Sequence, residues 1–213
     1  MSTKYPRTPH LPWSPGGTRD DRKIESVDSL IGIDLVITEK IDGSNICFTR
    51  DNVFARSHSG APTHESFGLA KAKHAEIRHS IMGGLSIFAE YTYAVHSIEY
   101  TQMTSPIWVI GVRLGERWLD FDLTEEWATK CGLVTVPVVF RGSVKGEEDL
   151  RFLTESLSNA PSLLGGTREG VVVRTLSSFV EDRFGSCVAK YVRKDHVQTD
   201  EHWSRNWKKQ DIK

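Results

Sequence analysis

Hydrophobic and polar residues alternate in short runs along most of the chain, the period expected of strands with one face buried. LVITEK (35–40), NICFTR (45–50) and VFARS (53–57) follow one another, and Asp51-Asn52 makes a tight hairpin turn between the last two. SFGLAKAKHAEIRHSIM (66–82) changes period. Phe67, Ala70, His74, Ile77 and Ile81 recur at helical spacing and predict an amphipathic helix. SIFAEYTY (86–93), IWVIGVRL (107–114) and RWLDF (117–121) return to strands, with Gly115-Glu116 as a second hairpin turn. LTEEWATKCG (123–132) predicts a short helix with Thr124 as its N-cap, and GEEDLRFLTESL (146–157) another with a polar outer face. VTVPVVF (134–140), EGVVVRTL (169–176) and CVAKYVRK (187–194) predict strands, the last two apolar enough to be buried on both faces. DEHWSRNWKKQ (200–210) predicts a basic terminal helix docked by Trp203 and Trp207.

The fold class that follows is α+β, antiparallel sheets with helices packed outside them. YPRTPHLPWSPGG (5–17) is rich in proline and glycine, which predicts an extended arm. The expected organisation is therefore a Pro-rich arm over 1–34 and a single domain over 35–213. Composition changes this picture little: 213 residues, 38% of them hydrophobic, suffice for one sizeable core. The net charge of −1 gives no general basic field, so any nucleic-acid surface must be a local patch. Cys47, Cys131 and Cys187 are odd in number and have no CxxC spacing, which argues against a disulfide framework and a zinc ribbon. With no long apolar run and no signal-like N-terminus, a soluble, cytoplasmic protein without membrane contact is expected.

Candidate chemistry centres on EKIDGSN (39–45). By itself it reads first as a charged turn at a strand end, with Gly43 supplying a positive φ. As a nucleophile, Lys40 would need a depressed pKa, cations for a phosphate, and carboxylates for a metal. Later strands carry charges where packing alone gives them no reason to be: Arg56 after Val53-Phe54-Ala55, Glu90 within SIFAEYTY, Glu169 opening EGVVVR, and Lys190 within CVAKYV. The histidines show no metal-ligand spacing, and His96, six residues beyond Glu90, is read as a hydrogen-bonding residue. LLGGTREG (163–170) lacks the ending of a P-loop and is read as a turn.

Taken in order, EKIDGSN, ARS, FAE, WVIGV, EGVVVR and AKYVRK resemble motifs I, Ia, III, IIIa, IV and V of the covalent nucleotidyltransferases. Within that superfamily the text is most similar to ATP-dependent RNA ligases that seal nicks in double-stranded RNA, over residues 35–194. The resemblance implies a nucleotidyltransferase domain without an appended OB domain, using ATP and Mg²⁺ (or Mn²⁺) to join RNA 3′-hydroxyl and 5′-phosphate ends in RNA repair. It implies partners that heal RNA ends, a kinase or phosphatase. DNA nick sealing, capping-type guanylyl transfer and a non-catalytic nucleotide- or RNA-binding module are the alternatives.

The same resemblance implies residue roles. Lys40 becomes the lysyl-AMP adduct, with Asp42 and Gly43 completing its loop beside Ile41. Asn45 and Arg56 contact phosphate, Glu90 binds ribose, and Glu90 and Glu169 serve the metal. Lys190 neutralises the α-phosphate and lowers the pKa of Lys40. Val172 closes one face of the adenine slot, and the backbone around Glu39 reads the base. Two positions depart from the pattern. Ile110 stands where a base-stacking aromatic is usual, leaving Ile110 or Trp108 for that face. Val192 stands where a second lysine is usual, leaving Lys194 as the alternative cation.

Overall fold

A computed structural model describes residues 4–16, 21–56, 61–194 and 207–213. Its strands form two sheets. The first has the order β11 (Val188–Val192), β9 (Gly170–Thr175), β1 (Leu35–Lys40), β8 (Val138–Gly142). The second runs β10 (Phe179–Val180), β6 (Arg117–Trp118), β5 (Ile107–Leu114), β4 (Leu85–Tyr91), β2 (Ser44–Phe48), β3 (Val53–Ala55). Their pairings are antiparallel; the short β7 (Val134–Thr135) adds one parallel pairing to β5.

Alternation along the strands sorts side chains to two faces. In the first sheet, Leu35, Ile37, Val171, Val173, Ala189 and Tyr191 form one core with Leu150 of helix α3 (Glu147–Asn159). In the second, Ile46, Phe48, Ile87, Ala89, Val109 and Val112 pack with Ala70 and Ile77 of α1 (Gly68–Ile77) and Ala128 of α2 (Phe121–Lys130). The opposite faces turn inward, so Thr38, Lys40, Val172, Arg174, Val188 and Lys190 meet Asn45, Glu90 and Ile110 across one cavity.

The expected elements form, with four differences. VTVPVVF splits into β7 and β8 in different sheets, because Pro137 has no N–H to continue a ladder and its carbonyl instead accepts from the Glu39 amide at 2.9 Å. The helix cap is Asp120, whose carboxylate accepts from Leu123 N at 2.8 Å; Thr124 lies inside the first turn and its hydroxyl donates back to Asp120 O. The 66–82 segment keeps all five apolar positions buried but stays α-helical only to Ile77. Residues 207–210 are extended where a helix was expected, and 200–206, including Trp203, lie outside the described residues. Trp207 packs against Tyr93 with ring centroids 5.9 Å apart.

The Pro-rich arm is part of the packed structure. Pro9 O accepts from Lys190 N and Leu11 N donates to Lys190 O, a parallel step along the outer edge of β11. Leu11 is fully buried in the first core, and Ser14 Oγ accepts from Val192 N at 2.9 Å. His10 is buried, with its pKa lowered to about 4 by that burial, so it sits neutral against Ser14. Among the described residues no helix is long and apolar enough to cross a membrane, and Cys47, Cys131 and Cys187 are buried free thiols.

Candidate active site

Lys40 ends β1 on the inner face, where a cavity of about 680 Å³ opens between the sheets. Its Nζ donates to Glu169 Oε2 at 2.7 Å, with the lysine side chain 24% and the glutamate 6% exposed. The pairing follows from register. Lys40 lies opposite Gly170, the first residue of β9, which puts Glu169 just before that strand beside the lysine head. Burial disfavours the ammonium form of Lys40, but Glu169, Glu90 and Asp42 outweigh it and the net shift is upward. The expected lowering of the Lys40 pKa by Lys190 is outweighed: the acids dominate and hold the lysine charged. Lys190, across the inner face, is itself lowered, by burial first and then by the Lys40 charge.

Glu90 owes its place to alternation in β4. Ile87, Ala89 and Tyr91 enter the core, so Phe88 and Glu90 take the other face: Phe88 is buried in an aromatic cluster and Glu90, opposite Asn45, lines the cavity. Burial, reinforced by Glu169 and Asp42 against the opposing pull of Lys40, pushes its pKa up to about 7. Folding therefore tightens proton binding at Glu90. The stability this contributes is present below about pH 4.5 and is lost as pH rises through about 7. Glu90→Gln is expected to remove that slope and, in metal-free buffer at pH 8, to stabilise the chain by on the order of 1–2 kcal/mol after allowing for screening through the open cavity. Urea midpoints of both proteins at pH 5 and pH 8 check this; parallel pH dependence would refute it.

The resemblance-implied residues separate into three groups. Lys40, Ile41, Gly43, Asn45, Arg56, Glu90, Ile110, Val172 and Lys190 line the cavity. Glu169 reaches the site through Lys40. Gly43 does not have the positive φ proposed for it. Its need is space: a Cβ there would lie 2.7 Å from Tyr91 O.

Asp42 and Glu39 act as supports. Asp42 Oδ2 accepts from Ser97 N at 2.7 Å and Ile98 N at 3.1 Å, and Asp42 N donates to Tyr100 Oη, so its carboxylate fastens the loop instead of lining the cavity. Glu39, one residue before Lys40, necessarily points to the other face. It is 2% exposed and accepts from Ser162 Oγ, Leu163 N and Arg168 Nη2 at 2.8, 2.6 and 2.8 Å. Its backbone borders the cavity.

Trp108 and Lys194 fall outside the lining. Trp108 is 5% exposed and packs with Ile41, Ile98, Tyr100 and Met103. Ile110 takes the inward position through a β-bulge: Phe88 pairs with Gly111 and Ala89 with Val109, leaving Ile110 as the extra residue re-aimed into the cavity. Lys194 is exposed beyond the end of β11, and Val192 is covered by Ser14 and Gly16 of the arm.

The sequence reading missed Tyr5, Pro6, Arg7 and Thr8, which close one side of the cavity, and Arg174 and Val188 on the inner face. Strand period could have found the last two; no local signal announces the arm. His96 also lines the cavity, 3.3 Å from Ser44 Oγ.

Among the described residues no three His, Cys, Asp or Glu side chains converge as a metal cluster. Glu90 and Glu169 instead offer a sparse set of carboxylate oxygens, which suits a hard cation that keeps several waters, as Mg²⁺ does. The grouping of Lys40, Arg56 and Lys190 with those carboxylates and an apolar slot at Ile110 and Val172 fits a phosphate-bearing ligand with a flat base.

Comparison with known proteins gives one consistent answer. A family model described as RNA ligase matches residues 33–192. None of the curated proteins matches the chain. A solved archaeal ATP-dependent RNA ligase superposes with a TM-score of 0.61 at 16% identity, over 89% of this chain and 48% of that one. A Naegleria gruberi RNA ligase solved with pyrophosphate superposes with a TM-score of 0.59 at 15% identity, over 78% of this chain and 51% of that one. A variant of the Naegleria enzyme solved with ATP and Mn gives 0.57 at 13% identity, over 78% and 52%. The chain thus spans about half the length of these structures.

Proposed function

The chain belongs to the RNA ligase family, and from that premise we propose that it is an ATP-dependent RNA ligase that joins 3′-hydroxyl and 5′-phosphate ends through a lysyl-AMP intermediate. The observation that carries this reading is the Lys40–Glu169 pair at the mouth of a cavity also lined by Glu90, Arg56 and Lys190.

Three displacements at phosphorus follow. Lys40 Nζ bonds to the α-phosphorus of ATP as the bond to the leaving pyrophosphate breaks, and the amine gives up its proton. A 5′-phosphate oxygen of RNA then takes the AMP and frees Lys40. Finally a 3′-hydroxyl attacks that 5′-phosphorus, loses its proton and releases AMP. Positioning and charge neutralisation account for most of the acceleration.

The residues divide that work. Lys40 rests as an ammonium against Glu169, and shielding Glu169 and Glu90 from it leaves burial, which favours the neutral amine. Glu90 and Glu169 would hold Mg²⁺ or Mn²⁺, which supplies charge to offset that building on the phosphate oxygens. Lys190 and Arg56 supply fixed positive charge from the two opposing sheets. Asp42 and Gly43 set the loop, Asn45 adds a polar contact beside Glu90, and Val172 with Ile110 flanks the base.

The reading treats residues 35–213 as one nucleotidyltransferase unit into which the 1–34 arm is packed. Three buried free cysteines support a reducing, cytoplasmic setting. RNA repair is the assigned role, with an end-healing kinase or phosphatase supplying ends of the required chemistry.

Sealing assays test the assignment. With ATP and Mg²⁺, a nicked RNA duplex is expected to be joined at least about ten times faster than the matching DNA duplex, a discrimination of about 1.4 kcal/mol. Equal rates, or a preference for DNA, would contradict it.

A further inference from the structure

The cavity has an apolar corner formed by Ile110, Val172, Val188 and, from the arm, Tyr5. Among the described residues, three with aromatic rings line the cavity: Tyr5, Phe67 and His96. Phe67 is buried and stacked on Tyr91, with ring centroids 5.4 Å apart. His96 lies beside Ser44. Tyr5 alone packs in the same cluster as Ile110 and Val172.

Its neighbours meet it at an angle. Phe88, Trp118 and Phe184 surround the Tyr5 ring at 5.5, 5.3 and 5.2 Å, inclined to it by 60°, 83° and 89°. None of the three stacks flat on it. The ring is half-buried and borders the cavity. Its position is also built, since the arm immediately beyond it is pinned by the Pro9 and Leu11 hydrogen bonds to Lys190 and by fully buried Leu11.

We propose that Tyr5 is a base-binding residue, its ring forming the aromatic wall of the nucleotide slot in the cluster that holds Ile110 and Val172. Resting on the ligase reading above, this assigns specificity to the N-terminal arm as well as to the sheets. A ring held in place by three inclined neighbours is preorganised to take a flat base without losing further side-chain freedom.

Calorimetric titration of the full chain with AMP and with tripolyphosphate, which has no base, tests the idea. Tyr5→Ala is expected to weaken AMP binding about 10-fold, within the range for removal of one base-stacking aromatic. Tyr5→Phe keeps the ring and is expected to stay within about 2-fold of wild type, and tripolyphosphate binding should not change in either variant. Unchanged AMP binding in Tyr5→Ala would overturn the proposal. Tighter binding would do so too, by making Tyr5 a plug of the slot. An equal loss for tripolyphosphate would make its role purely structural. A wild-type chain that binds neither probe would instead overturn the nucleotide reading itself, and this inference with it.

Discussion

Lys40→Ala is expected to lose ATP-dependent adduct formation and ATP-dependent sealing, by on the order of 10⁴-fold or more, the scale on which removal of a covalent nucleophile acts. The argument rests on position. Lys40 is the one residue of the nucleophile loop whose head group both enters the cavity and meets an acid, Glu169, at 2.7 Å. Alanine takes that partner from Glu169, whose side chain is buried, so a folding defect must be separated from a chemical one. Lys40→Arg does this. It retains a cation for Glu169, but a guanidinium stays protonated and does not attack phosphorus. Both variants should fail to acquire label from α-labelled ATP after denaturing electrophoresis. Both should still seal RNA that already carries a 5′-linked AMP, because the last displacement needs the 3′-hydroxyl and no lysine nucleophile. Label on either variant would move the nucleophile elsewhere.

The largest effect on stability is expected at the neighbouring residue. Glu39→Ala should destabilise the chain by about 3–5 kcal/mol, because it strands the Arg168 cation, whose side chain is 3% exposed, and strips an acceptor from Ser162 Oγ and Leu163 N. Arg168 also donates to the carbonyls of Leu157 and Pro161, so the pair ties the end of α3 and the 161–168 turn to β1. Glu39→Gln keeps an acceptor and should cost less. Urea unfolding midpoints at pH 7 measure both; a Glu39→Ala protein as stable as wild type would contradict a structural role and return Glu39 to the ligand site.

These two adjacent glutamate and lysine positions show what could be read from the sequence. A strand alternates faces, so of Glu39 and Lys40 only one side chain can enter the cavity. The same period places Glu90 with Phe88 on the inner face of β4, and Lys190 with Val188 on β11. Charges within apolar strand runs therefore converge on one cavity. What escaped was non-local. The bulge that turns Ile110 inward depends on how β5 meets β4, and the burial of Trp108 depends on Ile41, the 98–103 loop, Val136 and Leu164. Pro137 divided an apparently continuous apolar strand between two sheets. The arm could be read only as an extended segment, because proline spacing says how stiff a segment is and nothing about where it docks. Its docking along β11 covers Val192 and brings Tyr5 into the cavity.

The central claim is that Lys40 carries AMP. Its most direct test is the intact mass of the wild-type chain after incubation with ATP and Mg²⁺, followed by peptide mapping. The structure predicts the added mass of one AMP, located on the peptide containing Lys40. An unchanged mass, or AMP found on a peptide without Lys40, would contradict it.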